Sequence, residues 1–306
     1  MCKSSGVTVV GLTLVLDSNI LDMIHIFIGC RARMSNLRQR SDPPKDERST
    51  HMILKEGKKD NLKYYVFDNR ANAGVLAAQD IAEAILACLK EKDEINMIFA
   101  AAPSQNDTLA ALLERKDIPW NKINAFHMDE YIGLPDGAPQ SFGVFLKNAI
   151  FGKVDFKSVN YINGNAADIA AECARYTKLL TDYPTDIVCL GIGENGHIAF
   201  NDPGVADFED KVLIKTADLD EICRQQQVND GCFATIDDVP KQALTLTIPA
   251  LTKAAHMFCT VPAATKRWAV KETINGAISE NCPATIMRKH DHAVLYCDSQ
   301  SGADLL

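Results

Sequence analysis

The chain has 306 residues, 47% of them apolar, and a formal net charge of −8. Length and apolar content suffice for one large α/β domain or two small ones. The acidic balance argues against nucleic acid as the main partner, because phosphate-backbone binding needs a basic surface, but it permits a local basic pocket for one small phosphate.

Residues 1–51 differ from the rest. Two mostly apolar runs, 7–16 and 20–30, are separated or interrupted by Asp17, Asn19, Asp22 and His25. Neither reaches the roughly 18 uninterrupted apolar residues that a membrane helix usually needs, so no membrane association is expected. A signal peptide is poorly supported, since only Lys3 precedes the apolar part and no small-residue cleavage site stands out. Residues 31–51 are polar, contain Pro43-Pro44, and read as a linker. The folded domain is expected at 52–306, with 1–51 a disordered or non-native extension.

From Met52 onward, strand-like and helix-like segments alternate. A strand at 63–67 is followed by a helix with Val75, Ala78, Ala82, Ile85 and Leu89 on one face. The apolar run 95–102 leads through Pro103-Ser104-Gln105-Asn106-Asp107 into a helix carrying Leu109, Leu112 and Leu113. Further strands are expected at 123–127, 159–162, 186–190, 212–215, 243–248, 256–261 and 293–297. The clearest remaining helices are at 167–180 and 264–275. This order implies a single Rossmann-like α/β domain, a mainly parallel sheet flanked by helices on both faces.

The ten cysteines include no C-x-x-C pair. Cys88, Cys173, Cys189, Cys223, Cys259 and Cys297 lie in apolar or helical patterns and read as buried free thiols in a reducing, cytoplasmic compartment. His290 and His292 share a strand-like spacing, but no carboxylate or cysteine trio accompanies them, so no metal and no cofactor is expected.

The most informative stretch begins where the apolar run 186–190 opens into Gly191-Ile192-Gly193-Glu194-Asn195-Gly196-His197-Ile198-Ala199-Phe200-Asn201-Asp202-Pro203. Glycines allow a sharp turn and close ligand approach. His197 can move a proton near neutral pH, with Asp202 five residues on as a partner. A strand ending in such a loop delivers polar groups to the edge where open α/β sheets bind small ligands.

This run resembles the glucosamine-6-phosphate deaminase/isomerase family, for which Gly-His-Ile-Ala-Phe-Asn followed by an acidic residue and Pro is highly specific. Three more matches occur in the family's order: Phe126-His127-Met128-Asp129-Glu130-Tyr131-Ile132-Gly133-Leu134-Pro135 with Ser141-Phe142, then Ile162-Asn163-Gly164-Asn165-Ala166, then Val239-Pro240-Lys241-Gln242-Ala243-Leu244-Thr245. The resemblance runs from about residue 52 to 298. It implies that Asp129 is the base that removes the C2 proton of an open-chain sugar, a task that requires a carboxylate within reach and partly shielded from water. It implies that His197 assists ring opening and that Asp202 orients its imidazole. Asp202 stands where glutamate is usual, one methylene shorter, so the geometry must adjust by about an ångström or recruit a water. Asn195 stands where some members have aspartate, and is expected to hold the His197 ring by hydrogen bonding.

Phosphate binding departs from the family pattern. The usual Gly-rich first loop is replaced by Ser104-Gln105-Asn106-Asp107-Thr108. Ser104 and Thr108 keep hydroxyls for a phosphate, Gln105 and Asn106 are expected to meet sugar hydroxyls, and Asp107 is expected to be a helix N-cap. Lys266 matches the family's phosphate lysine. The family's arginine has no direct counterpart, because counting back from Val239-Pro240 reaches Asn229-Asp230-Gly231; Arg224 is the expected substitute and Arg267 a second candidate. Gly196 is expected to approach the substrate through its backbone. The sequence leaves open whether Glu194 faces solvent or the cleft mouth.

The implied activity is conversion of glucosamine 6-phosphate and water to fructose 6-phosphate and ammonia, without redox cofactor or metal. The partner is a small sugar phosphate, and relatives leave a homo-oligomer open. The alternatives are a 6-phosphogluconolactonase-like hydrolase on the related fold and a non-catalytic sugar-phosphate sensor.

Overall fold

A computed structural model describes residues 52–306. The apolar runs at 7–16 and 20–30, the linker at 31–51 and the expected character of 1–51 lie outside the described residues.

Seven strands form a parallel array. In chain order they are β2 (Leu62–Phe67), β3 (Ile95–Phe99), β4 (Ile123–His127), β6 (Ser158–Asn160), β7 (Ile187–Leu190), β10 (His256–Val261) and β11 (Ala293–Asp298). With β1 (Ile53–Lys59) added antiparallel to β2, the sheet order is β1-β2-β11-β10-β7-β3-β4-β6. The central strands β3, β4 and β7 are buried at every residue, as covering both faces requires, and their sequences are accordingly near-continuous apolar runs. Strand alternation divides the core into two layers. Met97, Phe99, Ile187 and Cys189 join one cluster, while Ile98, Val188 and Leu190 join the other.

Helix α1 (Arg70–Glu91) and helix α2 (Asn106–Glu114) cover the first layer, and α3 (Phe142–Leu146) extends it. Helices α4 (Ile169–Asp182), α6 (Ile248–Thr252) and α7 (Arg267–Asn275) cover the second. Helix α1 is long and apolar enough to cross a membrane by length and composition. Its apolar face is instead used in the core, with Leu76, Ile81 and Ile85 at 0% exposure. Val75, expected on that face, is exposed. The eight described cysteines are free; of the six expected to be buried, Cys88 and Cys173 are only half-buried.

Two segments expected in the parallel sheet belong elsewhere. The 212–215 and 243–248 runs become β8 (Ile214–Asp218) and β9 (Gln242–Leu246), which pair antiparallel with each other and with β5 (Asp129–Tyr131) in a separate three-stranded sheet. A single residue, Met128, separates the end of β4 from the start of β5, so this small sheet starts at the carboxyl edge of the large one. β1 has no apolar alternation to announce it. Its lysine-rich face is exposed, as suits an edge strand that must not pair with another chain. Helix α5 (Glu221–Asn229) is largely polar, and only its cap, with Asp220 accepting from the Cys223 amide at 2.6 Å, marks its start.

Candidate active site

A cleft opens at the carboxyl edge where β3, β4, β7 and β10 end, the location expected for a ligand site in an open α/β sheet. It is lined by Ala100–Ser104, Met128–Asp129, Gly191–Gly193, Pro262, Ala263, Thr265 and Lys266. Arg70 reaches it from the start of α1, and Gln226, Gln227 and Asp230 from α5 and its end.

Asp129 and Glu130 are adjacent but face different surroundings. They lie in strand β5, so successive side chains point to opposite faces. Asp129 lines the cleft at 7% exposure, and no described side chain donates a hydrogen bond to its carboxylate. Burial, reinforced by the Glu130 charge, raises its pKa well above the usual carboxylate range. Glu130 turns away and accepts from Ser141 Oγ at 2.7 Å and from the amides of Phe142 and Gly143 at 3.1 and 2.9 Å. It therefore ties β5 to the start of α3. Burial raises its pKa too, against the pull of these donors.

The loop after β7 is shaped by backbone geometry. Gly196 has φ +86°, and a Cβ there would meet Cys282 Sγ at 2.5 Å. It packs against Cys282 and is not among the residues that line the cleft; its positive φ lets the chain turn. A Cβ on Gly193 would overlap the His197 ring. Ala199 (φ +51°) and Ala263 (φ +85°) hold left-handed conformations unfavourable for a residue with a side chain, and both line the cleft.

His197 Nδ1 lies 2.7 Å from Asp202 Oδ1. The shorter carboxylate thus reaches the imidazole directly and no bridging water is required. Asp202 is fully buried. Burial pushes its pKa up, but the His197 imidazole, the Asn195 amide and the Cys223 thiol outweigh that and hold it below the ordinary value. Asn195 does not hold the ring, as the sequence suggested. Its Nδ2 donates to Asp202 Oδ1 at 2.9 Å and its Oδ1 accepts from the His197 amide at 3.1 Å, so it acts on the imidazole through Asp202 and the backbone. One ligand atom each from His197, Asp202 and Cys223 lies within 4.8 Å of the others. This N, O, S set is of a type that zinc accepts, and sequence spacing did not reveal it because Cys223 arrives from α5. A metal bound to Nδ1 would replace the His197–Asp202 contact. His290, by contrast, bonds the Ala254 carbonyl, and neither it nor His292 lines the cleft.

The basic side of the cleft differs most from expectation. Lys266 ends a short 3-10 turn before α7 and lines the cleft at 5% exposure without an ion pair among the described residues. Burial lowers its pKa, opposed at longer range by Asp230 and Glu194. Ser104 also lines the cleft, but Gln105, Asn106 and Thr108 do not. Gln105 is buried, donating to Ser104 Oγ and to the Thr260 carbonyl at 3.1 Å each; Thr108 bonds Thr260 Oγ1 at 3.1 Å; Asn106 is exposed outside the lining. Asp107 is not the N-cap, a position held by Gln105; its carboxylate takes Arg70 Nε at 2.6 Å.

Neither expected arginine enters the cleft. Arg224 is spent on the carbonyls of Ile236 and Val239, holding the turn before β9. Arg267 is exposed and pairs with Asp304. The cation that sequence reasoning missed is Arg70, which also donates to the Pro103 carbonyl at 2.9 Å. Its signal was available: Asp68-Asn69-Arg70 directly follows β2, and Asn69 caps α1 by accepting from the Asn72 amide at 2.9 Å. Thr265 was also missed. Glu194 borders the cleft loop, its amide donating to Gln226 Oε1 at 2.8 Å.

The family described as glucosamine-6-phosphate isomerases/6-phosphogluconolactonase matches residues 68–296. A glucosamine-6-phosphate deaminase of Listeria welshimeri is 34% identical over 210 residues, 69% of this chain and 88% of that protein. One of Streptococcus uberis is 35% identical over 192 residues, 62% of this chain and 80% of that protein. Among solved structures, a monomeric glucosamine-6-phosphate deaminase superposes with TM-score 0.71 at 29% identity, covering 80% of this chain and all of that one. The 6-phosphogluconolactonase of Thermotoga maritima superposes with TM-score 0.63 at 20% identity, covering 78% and 99%, which is a likeness of fold.

Proposed function

Because the chain belongs to the glucosamine-6-phosphate isomerase/6-phosphogluconolactonase family, we propose that it deaminates and isomerises an amino-sugar 6-phosphate, and that Asp129, His197 and Asp202 carry the chemistry. The observation that carries this reading is the placement, in one cleft, of a buried carboxylate that accepts no hydrogen bond among the described residues and a histidine paired with a carboxylate at 2.7 Å. His197, with Asp202 ionised behind it, passes a proton at the ring oxygen and opens the sugar. Asp129 then takes the C2 proton while O1 gains the proton that the substrate's ammonium gives up, leaving an enolamine, and Asp129 returns its proton to C1. The resulting C2 iminium adds water and releases ammonia, leaving a ketose 6-phosphate.

A raised pKa makes Asp129 a stronger base than an exposed carboxylate, which suits abstraction from carbon. On the opposite side, Arg70, Ser104, Thr265 and Lys266 would receive the phosphate. Lys266 is the leading member, since a buried ammonium without an ion pair is best compensated by an anionic ligand. The test is ammonia release from glucosamine 6-phosphate and galactosamine 6-phosphate, with hydrolysis of 6-phosphogluconolactone measured in parallel. Ammonia release without lactone hydrolysis is expected; the reverse would make the chain a lactonase.

A further inference from the structure

Helix α5 brings into the cleft a buried carboxamide for which the catalytic scheme has no use. Gln227 is 7% exposed, lines the cleft, and its side chain makes no hydrogen bond within the described residues. Its amide donors and acceptor are therefore free to engage a ligand in the cleft. Its neighbour Gln226 does have partners: Oε1 accepts from the Glu194 amide at 2.8 Å, and Nε2 donates weakly to Asp230 Oδ2 at 3.4 Å. Gln226 thereby fixes this turn of the helix to the catalytic loop and holds Asp230 at the cleft.

We propose that Gln227 is a specificity-determining residue that reads a hydroxyl of the sugar chain, not its phosphate; the proposal rests on the amino-sugar phosphate reading above. Two features select a hydroxyl. A carboxamide offers a donor and an acceptor, matching a group that is itself both, whereas a phosphoryl group only accepts once ionised. The carboxylate of Asp230, held by Gln226, also lines the cleft and can accept from a hydroxyl. The cations Arg70 and Lys266, from other elements, remain for the phosphate. A site built to bond one hydroxyl rejects the stereoisomer that points it elsewhere, because the amide is then left unpaired. Gln227 therefore sets the choice between sugar epimers.

The experiment compares the unmodified full chain with Gln227→Ala, using ammonia release from both epimeric amino-sugar 6-phosphates and competitive inhibition by inorganic phosphate. The expected result is a fall in kcat/KM of about tenfold for the preferred epimer, the worth of one well-made hydrogen bond, with a much smaller fall for the other. Inhibition by phosphate should change less than about twofold, as it is bound by the cations. An equal fall for both epimers, or weakened phosphate inhibition that tracks KM, would overturn the proposal. If Gln227→Ala does not fold, the uncharged and near-isosteric Gln227→Met carries the same comparison. Ammonia release by the unmodified chain is read first; its absence with both substrates overturns the functional reading and this assignment together, whereas release with an unmoved epimer ratio overturns only the latter.

Discussion

The two sides of the cleft were built in different ways. The catalytic side is compact in sequence: Asn195, His197 and Asp202 lie within eight residues, and Asp129 follows directly from a buried strand. The basic side is assembled from the start of α1, the loop after β3 and the turn before α7, with α5 alongside. A side drawn from one loop keeps its pattern under divergence, because each member is fixed relative to the next by short-range backbone geometry. A side drawn from separated elements can exchange one cation for another wherever a helix start faces the same space. Arg70 lines the cleft from such a helix start, where Arg224 does not.

Next to the loss of Asp129 itself, the largest effect should come from breaking the compact side at its hidden member. Asp202→Asn should lower kcat by about 100-fold or more, a general acid–base contribution, with KM little changed. Steady-state ammonia release measures both. The dispersed side should show the opposite signature. Lys266→Ala should raise KM about 10- to 100-fold, the worth of a charged hydrogen bond, with a smaller effect on kcat. Arg224→Ala should leave KM within about twofold, because its guanidinium serves the 236–239 turn, and should appear instead as a lower Tm. A strong KM effect at Arg224 and none at Lys266 would reverse the comparison.

A further contrast concerns pH. The Asp129 carboxyl titrates well above 3.8 because it is buried and beside Glu130, and it must be ionised to act as base. The acid limb of kcat/KM should therefore lie above the ordinary carboxylate range, with activity rising as pH rises through that raised pKa. The same shift means that the folded state resists ionising Asp129. Asp129→Asn should accordingly raise Tm at pH values above the limb, while removing activity.

Most of the large sheet was legible because buried parallel strands carry continuous apolar runs, as at Ile123–His127 and Ile187–Leu190. The three-stranded sheet was not: β8 mixes buried and exposed residues and β9 is buried after its first residue, but periodicity does not say which partner a strand takes. The same limit misplaced the first loop. The hydroxyl and amides of Thr108, Gln105 and Asn106 read as ligand groups in one dimension, but the short 3-10 turn Pro103–Gln105 directs Gln105 and the following helix directs Thr108 onto Thr260 under the sheet edge. Asp129 was found through its motif. The separation of its role from that of Glu130 came only with the strand, whose alternation sends one carboxylate to the cleft and the other to α3.

That separation is also the point at which the account is most exposed. The decisive measurement is ammonia release, together with Tm, for the unmodified chain, Asp129→Asn and Glu130→Gln side by side. Asp129→Asn should lose about 1,000-fold or more in kcat while remaining folded. Glu130→Gln should keep its turnover yet lose about 1–3 kcal/mol of stability, since its acceptors hold Ser141 and the first amides of α3. Retained ammonia release in Asp129→Asn, or loss of turnover in Glu130→Gln at unchanged Tm, would contradict the assignment of Asp129 as the base.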